Sequence, residues 1–100
     1  MGNSEFINYC KRFVMDYVNS TEYETDDGFV PRINEYNIFV VWISKVLQNH
    51  KALLSTTVPD GMYYELTYNG DKGELYLDAY KKWKNKCITL LSTNVVNRDD

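Results

Sequence analysis

The sequence predicts an α+β domain: an N-terminal helix, an antiparallel meander of three to four strands and a C-terminal helix, both helices lying on one face of the sheet. Three observations carry this reading. Apolar residues recur every three or four positions between Ser4 and Asn19, alternate with polar ones from Met62 to Tyr68, and return to helical spacing after Asp78. A chain of 100 residues, 44% hydrophobic and 15% aromatic, can fill one core and not two, so residues 1–100 are read as a single domain.

The first helix, within residues 1–19, places Phe6, Ile7, Cys10, Phe13, Val14, Tyr17 and Val18 on one stripe. Asn3 or Ser4 is suited to cap it, and Asn19-Ser20 ends it with side chains that compete for the backbone. Residues 20–36 have no apolar period and read as an acidic loop punctuated by Asp27-Gly28 and Pro31. The meander is expected over residues 37–77. Its first strand, carrying Phe39, Val40, Val41, Trp42 and Ile43, has the composition of a central strand buried on both faces; a buried helix using Phe39, Trp42, Ile43, Val46 and Leu47 is the competing reading. A tight turn at Gln48-Asn49-His50-Lys51 leads to a second strand over residues 52–57. Pro59-Asp60-Gly61 and the run from Asn69 to Gly73 supply the next two turns. From residue 78 to 91, Tyr80, Trp83, Cys87 and Leu90 or Leu91 share a helical stripe, with the lysines mainly on the other faces; residues 92–100 read as a frayed tail.

The residues give little support to catalysis, and no catalytic residue is assigned. The one histidine, His50, is expected in a solvated turn with no nucleophile in a recognisable context. Two cysteines, Cys10 and Cys87, are too few for a zinc site or a disulfide framework and read as buried thiols. Scattered glycines form no phosphate-cradling loop, and neither metal nor cofactor is expected. The amino terminus lacks a secretory pattern and no stretch has the length of a membrane span, so a cytoplasmic protein is expected, without a membrane partner.

Charge and aromatic content point to binding. The formal net charge of -3 argues against a dedicated nucleic-acid binder. Acids gather between Asp16 and Glu35, while Lys81, Lys82, Lys84 and Lys86 crowd the other end. Nine tyrosines in so short a chain exceed what a core of this size takes up, and tyrosine gives contact area at low entropic cost. The expected protein-binding surface combines Tyr63, Tyr23 and Tyr36 with Glu24, Asp26 and Asp27. A competing use assigns Lys81, Lys82, Lys84 and Lys86 to a nucleotide-type small ligand sequestered by a homo-oligomer.

Val41-Trp42, the run from Lys45 to Asn49, the run from Lys51 to Thr57, the run from Asp60 to Glu65 and the run from Leu77 to Lys82 resemble a family of small uncharacterised proteins from phages and prophages of Gram-positive bacteria. The resemblance implies an accessory protein in the host cytoplasm that binds a host protein, as an inhibitor or modulator of an enzyme or of an antiviral defence component. It implies no functional residues.

Overall fold

The computed structural model describes residues 1–20, 32–91 and 94–99. Helix α1 spans Asn3–Asn19 and buries Phe6, Cys10, Val14 and Val18, one residue every four, so that a single line of side chains meets the sheet. Ile7, Met15 and Tyr17 pack beside that line, whereas Phe13 stays partly exposed against Tyr9. The N-cap is Gly2 rather than Asn3 or Ser4, with no side-chain cap. At the other end Ser20 turns extended, and its N–H and hydroxyl both donate to the Tyr17 carbonyl at 3.2 and 2.7 Å.

Asn19 ties the chain's return to the helix end. Its side-chain amide donates to the Ile33 carbonyl and its side-chain oxygen accepts from the Ile33 N–H, both at 2.8 Å. The side chain thereby imitates one rung of a strand ladder. A short 3-10 turn, Glu35–Asn37, follows and is closed by reciprocal bonds between Asn34 and residues 36 and 37.

Four strands form an antiparallel sheet in sequence order: β1 (Ile38–Val46), β2 (Asn49–Thr56), β3 (Met62–Asn69) and β4 (Glu74–Lys81). Directly paired residues share a face. One face carries the rows Val40–Leu54–Tyr64–Ala79, Ile43–Ala52–Leu66–Leu77 and Lys45–His50–Tyr68–Leu75. This is the face that α1 covers, and Ile38, Ala52, Leu54, Tyr64 and Leu66 form the core with the helix. Fully burying each large apolar side chain contributes about 1.5–3 kcal/mol.

The expected meander is present as a four-stranded antiparallel sheet, and residues 38–46 are a strand rather than a helix. Its position differs from the expectation. In a meander running in sequence order the first strand has one neighbour, so β1 is an edge strand with Ile38 buried and Phe39, Val41 and Trp42 exposed. Its ladder is interrupted by a bulge between Val40 and Trp42. The turn after it is the pair Leu47-Gln48, with Leu47 at φ 56, not the run from Gln48 to Lys51. Moving the turn two residues earlier puts His50 inside β2, on the covered face. Gly61 has the positive φ expected of Pro59-Asp60-Gly61, and its carbonyl accepts from the Lys82 N–H at 2.8 Å.

The C-terminal helix expected over residues 78–91 is absent. The alternation that begins at Leu75 continues through Lys81: Leu75, Leu77 and Ala79 lie on one face, Tyr76, Asp78 and Tyr80 on the other. Pairing with β3 holds this stretch extended, and the helical spacing of Tyr80, Trp83 and Cys87 is coincidental, since Trp83 is 97% exposed and lines no core. After residues 82–85 the chain forms β5 (Lys86–Leu91), which pairs with β6 (Asn94–Asp99) in a separate two-stranded sheet. Residues 94–99, expected as a frayed tail, are therefore a strand. Among the described residues a single α-helix covers the main sheet.

Candidate binding surface

The face of the sheet turned away from α1 carries the rows Phe39–Ser55–Tyr63–Tyr80, Trp42–Leu53–Glu65–Asp78 and Ser44–Lys51–Thr67–Tyr76. Alternation along β2, β3 and β4 brings Leu53, Tyr63, Tyr76 and Tyr80 to this face, and the bulge between Val40 and Trp42 resets the alternation of β1 so that Phe39 and Trp42 both join them. Phe39, Trp42, Tyr76 and Tyr80 are exposed, and Leu53 and Tyr63 half-buried between them. The result is a ring-rich surface with charge set among the rings, since Glu65 and Asp78 occupy the same row as Trp42 and Leu53. Lys51 and Glu65 pair across it at 3.4 Å, and the Tyr76 hydroxyl donates to the Glu74 carboxylate, which raises the Tyr76 pKa. Glu65, Asp78 and Glu74 against Lys51 leave this face acidic.

The interior offers groups of a different kind. Burial pushes the Cys10 thiol up to about 12, so at neutral pH it is protonated and a poor nucleophile. Burial also raises the Tyr64 pKa, with further contributions from Asp60 and Tyr17, whose ring meets that of Tyr64 edge-on at 5.8 Å. Cys87 is half-buried on β5 and both cysteines are free. No group of three His, Cys, Asp or Glu among the described residues could hold a metal ion. No helix among them is long and apolar enough to cross a membrane. A shallow depression on α1 is lined by Glu5, Asn8, Tyr9 and Arg12, away from the ring-rich face.

His50, expected in solvent, is 2% exposed, and neither ring nitrogen has a hydrogen-bond partner. Its ring lies 4.8 Å from that of Phe6 and 6.1 Å from that of Tyr68. Burial lowers its pKa, and the positive charges of Lys45 and the amino terminus lower it further. A histidine whose folded pKa lies below its unfolded value, near 6.5, binds protons more readily when unfolded. The folded state therefore loses stability as pH falls below about 6.5. Thermal melts at steps from pH 7.5 to 5 should show this loss, and His50→Leu should flatten that part of the profile. A wild-type profile superimposable on the variant's would place His50 in solvent.

The expected site residues are not all brought together. Tyr63 lies on the ring-rich face, directly paired with Tyr80. Tyr36 is 87% exposed on the short turn that leads into β1. Tyr23, Glu24, Asp26 and Asp27 lie outside the described residues. Lys81 closes β4, Lys82 and Lys84 lie in the connecting segment and Lys86 opens β5, so these lysines do not share a helix. Sequence reasoning missed Phe39, Trp42, Leu53, Tyr76 and Tyr80. The signal for Leu53, Tyr76 and Tyr80 was the alternation itself, which places them with Tyr63 once β4 is extended, whereas Phe39 and Trp42 share the face only through the bulge in β1, which the sequence does not display.

Residues 7–90 match a family described as a family of unknown function (DUF6275). The chain matches no curated protein and no solved structure.

Proposed function

We propose that this chain, which belongs to the DUF6275 family, acts by binding another protein through the ring-rich face of its sheet. The observation that carries the reading is the uncovered row structure: aromatic and aliphatic groups from all four strands converge on a face that no helix among the described residues covers. Soluble domains seldom expose so many large apolar side chains on one face without a use, and tyrosine and tryptophan are the residues that dominate contact energies. The acidic balance of Glu65, Asp78 and Glu74 selects a partner that sets basic side chains among apolar ones. The phage setting implied by the sequence resemblance makes the partner a host protein, and the chain its inhibitor or modulator in the host cytoplasm.

The test is capture from host lysate with tagged wild-type chain, Trp42→Glu, Tyr63→Glu and, as a control on the far side of the molecule, Arg12→Glu. Wild type and Arg12→Glu should retain one protein in stoichiometric amount. The two sheet-face variants should lose at least about 30-fold in affinity, the loss expected for a central aromatic contact. Melting temperatures establish that all four are folded. Equal retention by every variant, or no retained protein at all, would overturn the reading.

A further inference from the structure

We infer that the segment joining the two sheets, Lys81 to Lys86, is a second binding site, one for single-stranded nucleic acid. In this segment Lys-Lys-Trp-Lys-Asn-Lys sets four cations around one indole, and no acid occurs between Asp78 and Asp99. All six residues are exposed, and Trp83 is the most exposed of the large apolar side chains described. Residues 82–85 belong to neither helix nor strand, so the segment presents its side chains from an open stretch of backbone. Its two ends are nonetheless fixed. Lys81 pairs with Met62 in the sheet, the Lys82 N–H donates to the Gly61 carbonyl at 2.8 Å, and Lys86 pairs with Asp99 in the second hairpin.

Leaving an indole in water forfeits the stabilisation its burial would give, which argues for a contact made elsewhere. The chemistry around it narrows that contact. A planar ring flanked by ammonium groups suits a ligand that has both flat faces and regularly spaced negative charge, which describes an unpaired nucleic-acid strand: a base stacks on the ring while lysines meet phosphates. An anionic bilayer would need apolar neighbours to enter the acyl boundary beside the tryptophan, and within residues 81–86 Trp83 has only lysine and asparagine for company. The chain's overall charge of -3 does not oppose the assignment, because cations confined to one segment act locally when salt screens acids more than about 10 Å away, although Asp99, opposite Lys86, offsets part of the local charge. It does predict weak binding with little base preference.

The experiment is fluorescence anisotropy of a labelled oligothymidylate of about 15 nucleotides titrated with the full chain at several salt concentrations. Dissociation constants of about 1–100 μM are expected at low salt, and log affinity should fall against log salt with a slope of up to about -3, from about -0.7 per phosphate contacted. Trp83→Ala should weaken binding by about 5- to 150-fold, the loss of one stacked base. Lys82→Glu with Lys84→Glu should abolish it, while Trp42→Glu on the sheet face leaves it unchanged. Absence of binding at low salt would overturn the proposal, as would affinity indifferent to the Trp83 and lysine changes. Sedimentation with phosphatidylserine vesicles, in a chain that ignores the oligonucleotide, would overturn it in favour of a membrane surface. The Trp83 and lysine variants should still capture the protein partner, so the two sites fail independently.

Discussion

Replacing Phe6 with alanine is expected to lower the unfolding free energy by about 3–5 kcal/mol, the range for truncating a buried phenylalanine. Phe6 is fully buried in the first turns of α1, its ring tilted against that of His50. The penalty should lie high in the range because α1 is the one helix among the described residues that covers the sheet. No second helix among the described residues stands behind it to collapse into the cavity, and the strands beneath are held by their own ladder. Against a total stability of about 5–15 kcal/mol, typical of single domains, such a loss removes from about a fifth to all of the total. Urea denaturation of the wild type, Phe6→Ala and the exposed-side control Phe13→Ala checks this. Phe13→Ala should stay within about 1 kcal/mol of wild type. A Phe6→Ala loss below that same value would mean that α1 does not seal the sheet.

Gly70→Ala is expected to cost about 3 kcal/mol, the upper end of ordinary overpacking. A β-carbon at Gly70 would stand 2.2 Å from the Gln48 carbonyl oxygen and 2.8 Å from its β-carbon. The obstacle is largely backbone, which cannot rotate aside as a side chain does. Two turns meet here: Leu47-Gln48 joins β1 to β2, and Gly70 begins the turn from β3 to β4, where its N–H donates to the Asn49 side chain at 3.2 Å. Adding a methyl group should push these turns apart and loosen β1 first, since it has one neighbour in the sheet. Hydrogen exchange would show this as selective loss of protection in residues 38–46. Gly73→Ala separates the steric effect from the conformational one, because Gly73 has nothing within 4 Å of the added carbon but sits at φ 65. Equal destabilisation by both changes would show that the contact with Gln48 is not the cause.

The parts of this fold that sequence revealed are those where one period dominates. Every fourth residue of α1 reaches the core, and Met62, Tyr64, Leu66 and Tyr68 alternate with Tyr63, Glu65 and Thr67 as their pleat requires. Elsewhere local pattern was ambiguous. An apolar run such as Phe39 to Ile43 fits a strand buried on both sides, and nothing in its composition states that it has a single neighbour. Strand order, a long-range property, decides that. Around Asp78 two periods meet: Tyr80, Trp83 and Cys87 fit a helix, while Leu75, Leu77 and Ala79 fit a strand. Pairing with β3 selected the second. His50 was misplaced by a two-residue error in the turn, enough to move it from solvent to core. The candidate surface was visible only through Tyr63, because its other members become neighbours through registers that sequence does not display.

By joining the helix end directly to Ile33, the Asn19 clamp holds α1 and the approach to β1 together through one side chain. Asn19 is thus the residue whose loss would deprive the end of α1 and the approach to β1 of their common reference point.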